Sequence, residues 1–359
     1  FILLGTLMSY TGIAERILHI ANVLVGKMRG GLGVANILVS TMMGGVSASN
    51  LADAAMLSRM MVPEMERKGY NRAFAAAITA GGSLVTPIIP PGIALIIYGL
   101  VADVSIGKMF IAGLVPGLLC AVVLMFTVYL VARKTNAKPS RESWPTGKEV
   151  VFSLGQAWPA LFLIFAVVGG IRANIFTPTE AGAVAVLIVL AIGFFIYREM
   201  RISHVVKALG ETARATASVM LVIMASAALG WIFSMEHAGV AVANFVTSLT
   251  ENKYMFLLII NILLLTLGMF LEGNAILLIL VPLLKPVVEH FGIDPVHFGI
   301  IMIFNLSIGA FTPPVGTVML LVCNITQVSV GNFFKQSLPL LAALLLMLML
   351  VTYIPAISL

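Results

Sequence analysis

The stretch Thr86-Pro87-Ile88-Ile89-Pro90-Pro91-Gly92 interrupts a long apolar segment, and Thr312-Pro313-Pro314-Val315-Gly316 interrupts a second one. Paired prolines cannot lie inside a continuous helix, because each proline lacks a backbone N–H and its ring clashes with the preceding turn. Each stretch therefore predicts a helix that is broken into two parts. Two such breaks in one apolar chain indicate where irregular backbone carries a function.

The composition around these breaks is that of a membrane protein. Hydrophobic residues make up 60% of the 359 residues, charged residues make up 10%, and the mean hydropathy is +1.08. A soluble domain of this size needs many more charged residues to cover its surface. We therefore predict an all-α polytopic membrane protein. The clearest apolar runs, judged against the ~20 residues that cross a bilayer, are Met109–Ala132, Val150–Ile171, Gly182–Tyr197, Ser218–Phe233, Tyr254–Leu271 and Leu338–Tyr353.

The net charge of +6 does not indicate a nucleic-acid partner, because the basic residues form short clusters between apolar runs. One cluster lies between Arg133 and Lys148, and a second lies between Arg198 and Arg214. Two predicted membrane crossings separate the clusters, so both lie on the same side of the membrane. Cytoplasmic loops carry an excess of lysine and arginine. The sequence therefore predicts that both clusters are cytoplasmic.

The chain contains one sequence unit twice. At an offset of 223 residues the matches include prolines and glutamates, which coincide by chance far less often than apolar residues do. We predict two inverted repeats: a first repeat at 1–131, a cytoplasmic basic linker at 132–149 and a second repeat at 150–359. The same offset places the start of the first repeat about 70 residues before Phe1, so we expect it to be N-terminally truncated. The matched pairs are Pro63 with Pro286, Glu66 with Glu289, and Pro90-Pro91 with Pro313-Pro314.

Each repeat also contains an interrupted apolar stretch before its proline break. Gly44–Asn50 interrupts the first one, and Glu272–Asn274 interrupts the second. The first pair of arms is too short for each to span alone, so a re-entrant helical hairpin fits both stretches. We predict hairpins at about 31–68 and about 254–290, each followed by a proline-broken helix, at about 72–102 and about 296–325. Scaffold helices and an amphipathic interfacial arm are expected at 150–215.

These breaks are the predicted binding site. Unwound backbone at membrane depth exposes helix-terminal carbonyl groups, which attract a cation, and N–H groups, which attract an anion. The alternative is structural, because small residues and proline kinks also serve helix packing alone. The candidate substrate contacts are Ser47, Ser49, Asn50, Asn274 and Thr312. The candidate sodium ligands, mainly backbone oxygens, are Gly44, Ser47, Ser49, Thr86, Gly268, Gly273, Gly309 and Thr312.

Two carboxylates lie in or beside the predicted hairpin tips, where an ionised side chain is costly and usually functional. Asp53 is expected either to ligate a cation or to cap the second arm of its hairpin. Glu272 is given the same two possible roles, although its counterpart in the first repeat is Ser49 and the repeat does not require a carboxylate there. Thr177 and Glu180, by contrast, have the spacing of a capping box and predict the start of a helix.

Five motifs have a recognisable pattern, namely Gly44–Asp53, Ile89–Ile93, Glu272–Asn274, Gly292–Gly299 and Asn305–Gly316. Together they resemble the large membrane subunit of TRAP transporters, the tripartite ATP-independent periplasmic carriers, through essentially the whole chain. The resemblance implies Na⁺-driven symport of an organic acid, such as a C4-dicarboxylate or sialic acid, across the bacterial inner membrane by an elevator mechanism. It also implies a small four-helix membrane subunit and a periplasmic substrate-binding protein as partners, with no cofactor other than Na⁺.

The first hairpin tip departs from the family pattern, because it reads SASN where relatives often have SGS. The substrate therefore stays open. The nearest alternative function is that of a stand-alone symporter of cation and organic anion, which needs no binding protein. An enzyme is not expected, because the sequence shows no HExxH, no carboxylate cluster and no G-x-S-x-G.

Overall fold

The computed structural model describes residues 1–47, 49–133, 138–141, 143–173, 175–236, 248 and 250–359. Fifteen α-helices account for most of these residues. The helices are α1 (Ile2–Met8), α2 (Ile13–Val25), α3 (Gly31–Ser47), α4 (Asn50–Arg67), α5 (Arg72–Ser83), α6 (Ile93–Val101), α7 (Ile106–Arg133), α8 (Gly147–Arg172), α9 (Pro178–Ala191), α10 (Ile202–Met235), α11 (Lys253–Phe270), α12 (Gly273–His290), α13 (Pro295–Phe311), α14 (Thr317–Thr326) and α15 (Val330–Tyr353).

Seven helices in the described part of the chain are long and apolar enough to cross a membrane. Large apolar side chains on their outer faces are exposed, as at Val151, Phe165 and Leu221. Such faces suit a hydrocarbon environment rather than water. The prediction of an all-α polytopic membrane protein is confirmed. These seven helical segments, selected by length and composition, are Ile106–Arg133, Gly147–Arg172, Pro178–Ile196, Ile202–Ala225, Lys253–Phe270, Gly273–His290 and Val330–Tyr353.

The segment after the second basic cluster differs from the sequence expectation. An amphipathic arm and a separate span were expected there, but Ile202–Met235 is one continuous helix of 34 residues. No proline lies within it, so nothing ends the helical hydrogen-bond ladder between the charged part and the apolar part. The capping box before α9 is present as expected, with the Thr177 side chain and Glu180 each bonded to the other's backbone N–H.

In the first repeat, helices α3 and α4 lie where the first hairpin was expected, and α5 and α6 lie where the first broken helix was expected. The interruption in the hairpin is shorter than Gly44–Asn50, because α3 continues to Ser47 and α4 begins at Asn50. Gly44 allows α3 to approach the proline break closely. A β-carbon added at Gly44 would lie 2.9 Å from Thr86 Cα. The tip of the hairpin therefore packs directly against the break.

The second repeat has the same arrangement in α11 to α14. A β-carbon added at Gly309 in α13 would lie 2.6 Å from Gly268 Cα in α11, so these two helices also touch through glycine backbones. The backbone N–H of Gly316 donates to the Met269 carbonyl over 2.9 Å and holds the break against the end of α11. The peptide bonds Pro90–Pro91 and Pro313–Pro314 are both cis.

Buried polar groups join the first arm of each hairpin to the first part of its broken helix. Asn36 in α3 donates to Thr79 in α5 over 2.6 Å. Asn305 in α13 donates to Asn261 in α11 over 2.7 Å, and Asn261 donates to Thr352 in α15 over 3.0 Å. Because buried hydrogen bonds of this kind are costly to break, each hairpin arm is fixed to its broken helix.

The predicted basic linker is shorter than 132–149, because α7 continues to Arg133 and α8 begins at Gly147. Residues 134–137 and 142 lie outside the described residues. The backbone N–H of Lys138 donates to the Lys68 carbonyl at the end of α4 over 2.9 Å. Ser140 and Arg141 both donate their backbone N–H groups to the Gly26 carbonyl at the end of α2. The linker thus joins the end of the first hairpin to α2.

Candidate substrate site

A cavity of about 100 Å³ lies where the two hairpins and the two proline breaks meet. One ordered water needs about 10–15 Å³ of such space, so the cavity has room for several waters or a small acid. Its walls come from both repeats, although the segments of one repeat are more than 170 residues from those of the other in sequence. The lining residues are Ser49, Asn50, Leu51, Pro87, Ile93, Ala94, Glu272, Gly273, Asn274, Leu277, Ile303, Leu306, Ser307, Ala310 and Thr317.

The first hairpin contributes the beginning of α4. Ser49 is the N-cap residue, and its hydroxyl oxygen accepts a hydrogen bond from the Ala52 N–H over 3.4 Å. The Asn50 side-chain oxygen accepts from the Leu51 N–H over 2.9 Å. Serine is preferred at the N-cap position because its short side chain reaches the first N–H groups of a helix.

The second hairpin contributes the beginning of α12, and here the cap is charged. Glu272 accepts hydrogen bonds from the Ala275 N–H over 2.9 Å and from the Asn274 side-chain amide over 2.8 Å. A carboxylate is favourable beside the first turn of a helix because the helix dipole is positive there. The carboxylate of Glu272 is exposed at the wall of the cavity.

The two proline breaks contribute the beginnings of α6 and α14. Gly92 and Gly316 are their N-cap residues, and neither helix has a side-chain cap. Ile93, Ala94 and Thr317 in the first turns of these helices line the cavity. Four helix N-termini therefore converge on one small space, and two of them have first-turn N–H groups that no side chain caps. Such an arrangement favours an anion.

Behind the cavity, each repeat pairs two helix C-terminal ends. The ends of α3 and α5 meet near Gly44 and Thr86, and the ends of α11 and α13 meet near Gly268 and Gly309. In the first repeat Asp53 joins this group, since its carboxylate accepts the Thr86 hydroxyl hydrogen over 2.6 Å. Both side chains are buried, at 1% and 0% exposed. Helix C-termini carry partial negative charge, so these two places favour a cation.

The sequence-predicted residues fall into two groups. Those that line the cavity are Ser49, Asn50, Glu272, Gly273 and Asn274. Those that lie behind it, at the paired helix ends, are Gly44, Asp53, Thr86, Gly268 and Gly309.

Two predicted residues, Thr312 and Ser47, belong to neither group, and Asp53 does not occupy the capping position of its helix. Thr312 does not line the cavity, and its hydroxyl donates to the Ile308 carbonyl over 2.8 Å. The side chain of Ser47 lies outside the described residues, although the end of α3 places its backbone beside the tip. For Asp53, the capping position is occupied by Ser49, and Asp53 lies in the first turn of α4.

Among the hydroxyl-bearing residues that line the cavity, sequence reasoning missed Ser307 and Thr317. Ser307 lies within the Asn305–Gly309 run and is buried in α13, where its hydroxyl donates to the Ile303 carbonyl over 2.8 Å. Thr317 is the first residue of α14. Thr317 directly follows the second proline break. Because the N–H groups at helix starts were already expected to bind the anion, this position in the sequence could have predicted it.

The described residues that line the cavity include no lysine or arginine. The described residues also contain no group of three or more His, Cys, Asp or Glu side chains placed to hold a metal ion. Helix ends, hydroxyl groups and amides are therefore the polar groups that the cavity offers, together with Glu272.

A sequence model of the family described as tripartite ATP-independent periplasmic transporter, DctM component, matches residues 1–357. This chain belongs to that family. Among its relatives, the C4-dicarboxylate TRAP transporter large permease protein DctM of Pseudomonas aeruginosa is 39% identical, over 100% of this chain and 84% of that protein. The sialic acid TRAP transporter large permease protein SiaM of Vibrio cholerae is also 39% identical, with the same coverage.

A third relative of this TRAP permease is the 2,3-diketo-L-gulonate TRAP transporter large permease protein YiaN of Escherichia coli. It is 33% identical over 99% of this chain and 83% of that protein. Membership of the TRAP family, together with the seven spanning segments, makes this chain a multi-pass inner-membrane protein and not an enzyme.

The fold of the TRAP permease is similar to that of the Alcanivorax borkumensis YdaH transporter. The TM-score is 0.60 at 14% sequence identity, and the similarity covers 98% of this chain and 86% of the other. At that identity the likeness concerns the fold alone.

Proposed function

We propose that this TRAP permease imports an organic acid into the bacterial cell, driven by a sodium gradient. A periplasmic substrate-binding protein delivers the acid, and a small membrane subunit packs against the permease in the lipid bilayer. Relatives named for a C4-dicarboxylate, for sialic acid and for a diketo-gulonate all carry acids, which supports an organic acid as substrate here.

The observation that carries the proposal is the convergence of four helix N-termini on one cavity between the hairpin tips. A carboxylate at this place receives hydrogen bonds from first-turn N–H groups and the favourable end of each helix dipole. Binding sites formed by discontinuous helices at the meeting point of two repeats are characteristic of secondary transporters. Ser49, Asn50 and Asn274 complete the contacts on the hairpin side.

Sodium coupling is supported by the paired helix C-termini behind the cavity. Backbone carbonyls, the Thr86 hydroxyl and the Asp53 carboxylate provide the oxygen atoms that a hard cation prefers. A cation bound there stabilises the hairpin tips in the position that encloses the cavity. The same cation offsets the negative charge that the acid brings into the membrane interior.

For the elevator movement, we propose that the hairpins and broken helices move as one body against α1, α8, α9 and α10, with α1 packed on α9 and α10. The buried bonds of Asn36 with Thr79 and of Asn261 with Asn305 hold each hairpin to its broken helix, as such a body requires. Helix α7 packs against α3 and moves with that body.

A disulfide between α7 and α8 tests this movement. A β-carbon added at Gly107 in α7 would lie 3.7 Å from Ile171 Cγ2 in α8, which is within reach of a disulfide between cysteines at these positions. Oxidation of that pair, with both native cysteines replaced by alanine, is expected to stop uptake, and reduction is expected to restore it. A control pair at Thr6 and Thr212, whose hydroxyl groups are 3.5 Å apart, joins α1 to α10 and is expected to leave uptake intact. Normal turnover by the oxidised first pair contradicts the elevator movement.

The proposed function itself is tested by uptake of labelled organic acids into proteoliposomes that contain the permease and the small subunit. An inward sodium gradient is compared with a potassium gradient of the same size, each with and without the binding protein. Uptake that needs both sodium and the binding protein supports the proposal. Sodium-driven uptake without the binding protein indicates a stand-alone symporter, and uptake indifferent to sodium contradicts the coupling.

A further inference from the structure

We propose that Glu272 makes this cavity selective for acids with a single carboxylate and a hydroxyl group at the other end, and that it acts against dicarboxylates. The inference rests on the proposed function, since it concerns what the same cavity binds. It is carried by Glu272, the one ionisable side chain among the described residues that line the cavity, and by the difference between the helix N-termini that have a side-chain cap and those that have none.

The first argument is charge. Each of the four helix N-termini is equivalent to roughly half a positive charge, so together they supply about two. Glu272 contributes one negative charge, and no lysine or arginine is present among the described lining residues. Among the groups that line the cavity, the four N-termini and Glu272 therefore sum to about one positive charge, while Asp53 and the helix C-termini lie behind the lining and face the proposed cation. One carboxylate on the substrate matches this charge. A second substrate carboxylate would lie in the same small space as the like-charged Glu272.

The second argument is the orientation of the ligand. The N-termini of α6 and α14 have no side-chain cap, so their first-turn N–H groups are the better place for a substrate carboxylate. The N-termini of α4 and α12 already bond to Ser49 and Glu272. The far end of the substrate consequently faces the hairpin tips.

The third argument is hydrogen-bonding capacity at those tips. An ionised carboxylate accepts at about four lone-pair positions, and Glu272 uses one oxygen for the Asn274 amide and the other for the Ala275 N–H. Its exposed side leaves acceptor capacity toward the cavity. An acceptor of this kind bonds a hydroxyl donor on the substrate and repels a carboxylate. Glu272 is therefore the group that distinguishes a hydroxyl from a carboxylate at the far end of the substrate.

Succinate and 4-hydroxybutyrate form a matched pair of probes, because each has four carbons and they differ at one end only. That end is a carboxylate in succinate and a hydroxymethyl group in 4-hydroxybutyrate. Binding of each acid is measured by calorimetry on the purified permease with its small subunit, in sodium buffer. The wild type is expected to bind 4-hydroxybutyrate more than about tenfold more tightly, since one like-charge contact costs at least that much.

The variants separate charge from shape. E272Q removes the charge but keeps an oxygen that can cap α12, so the preference is expected to fall toward equal binding, mainly through tighter binding of succinate. E272D keeps the charge and is expected to keep the preference. E289Q, at the other end of α12 and outside the cavity lining, serves as the matched control and is expected to bind as the wild type does.

The outcomes distinguish this inference from the proposed function. If both acids bind and E272Q leaves their ratio unchanged, or if the wild type prefers succinate, the role of Glu272 is overturned while anion binding in the cavity stands. If neither acid binds to folded permease, the inference is overturned, and the uptake assay with other organic acids decides the proposed function separately. A melting temperature for each variant shows that the proteins compared are folded.

Discussion

Thr86 donates its hydroxyl hydrogen to Asp53 Oδ2 over 2.6 Å, in a fully buried contact between the first proline break and the second arm of the first hairpin. The two residues are 33 positions apart in sequence and belong to segments that each contribute a helix start to the cavity. Because a buried carboxylate without its hydrogen bonds is costly, the contact fixes the position of the hairpin tip relative to the break.

Replacement of Thr86 by valine removes that donor and keeps the shape of the side chain. We expect a loss of stability of about 1–3 kcal/mol, the usual cost when a buried polar group loses a partner, and a lower apparent affinity for sodium. Thermal unfolding and sodium-dependent uptake measure the two effects. Thr86→Ser, which restores the hydroxyl, is expected to recover both.

Thr127→Val is the control for this change, because the Thr127 hydroxyl donates within its own helix α7, to the Val123 carbonyl. It is expected to leave the sodium dependence unchanged. Equal behaviour of Thr86→Val and Thr127→Val shows that the Asp53 contact does not matter for coupling.

Gly309→Ala introduces a methyl group where α13 touches α11. The added β-carbon would lie 2.6 Å from Gly268 Cα, so the helices must separate, and overpacking of this kind typically costs about 1–3 kcal/mol. We expect lower thermal stability and strongly reduced uptake. Gly331→Ala in α15 meets nothing within 4 Å and is expected to be neutral or slightly stabilising. If the unfolding curves of the two variants coincide, the tight contact between the two glycines is contradicted.

Asn50→Ala and Asn274→Ala each remove an amide from the wall of the cavity. Each is expected to raise the KM for the transported acid by roughly twofold to tenfold, which corresponds to one lost hydrogen bond, with the protein still folded and inserted. Asn332→Ala, at an exposed position in α15, is the matched control. If both cavity variants take up the acid as the wild type does, the hairpin tips are not part of the substrate site.

Thr317 and Thr312 flank the second break but are expected to differ in effect. Thr317 lines the cavity, so Thr317→Val should raise the KM for the acid. Thr312 lies outside the lining, and its hydroxyl donates to Ile308, so Thr312→Val should alter the sodium dependence instead. Uptake measured over a matrix of acid and sodium concentrations separates the two effects. A common change in both variants argues against separate anion and cation positions.

Much of the fold could be predicted from the sequence because its strongest signals are local. Proline pairs break helices wherever they occur, and the capping box at Thr177 and Glu180 needs only neighbouring residues. The break in the first hairpin was expected to be longer than it is. Gly44 was taken as a helix breaker, although in the structure it stays helical and serves the close contact with Thr86.

The site could be predicted less completely, because a cavity depends on which side chains face inward. Ser49, Asn50 and Asn274 were identified from the tips, but Ser307 lies in the middle of a continuous buried helix and carries no local signal. The expectation for Thr312 assumed that the residue before the prolines faces the substrate. Its hydroxyl instead bonds one turn back, as threonine often does in a helix.

The linker between the repeats bonds to α2 and to the end of the first hairpin, because the backbone N–H groups of Lys138, Ser140 and Arg141 donate to the Lys68 and Gly26 carbonyls. The Ser140 hydroxyl adds a hydrogen bond to Asn22 Oδ1 in α2. Backbone hydrogen bonds do not depend on the identity of the side chains, so Lys138 can be exchanged without loss of its bond, except for proline, which has no N–H to donate. In the proposed elevator movement the length of this connection sets how far the hairpin can move relative to α2, so inserted or deleted residues change that distance.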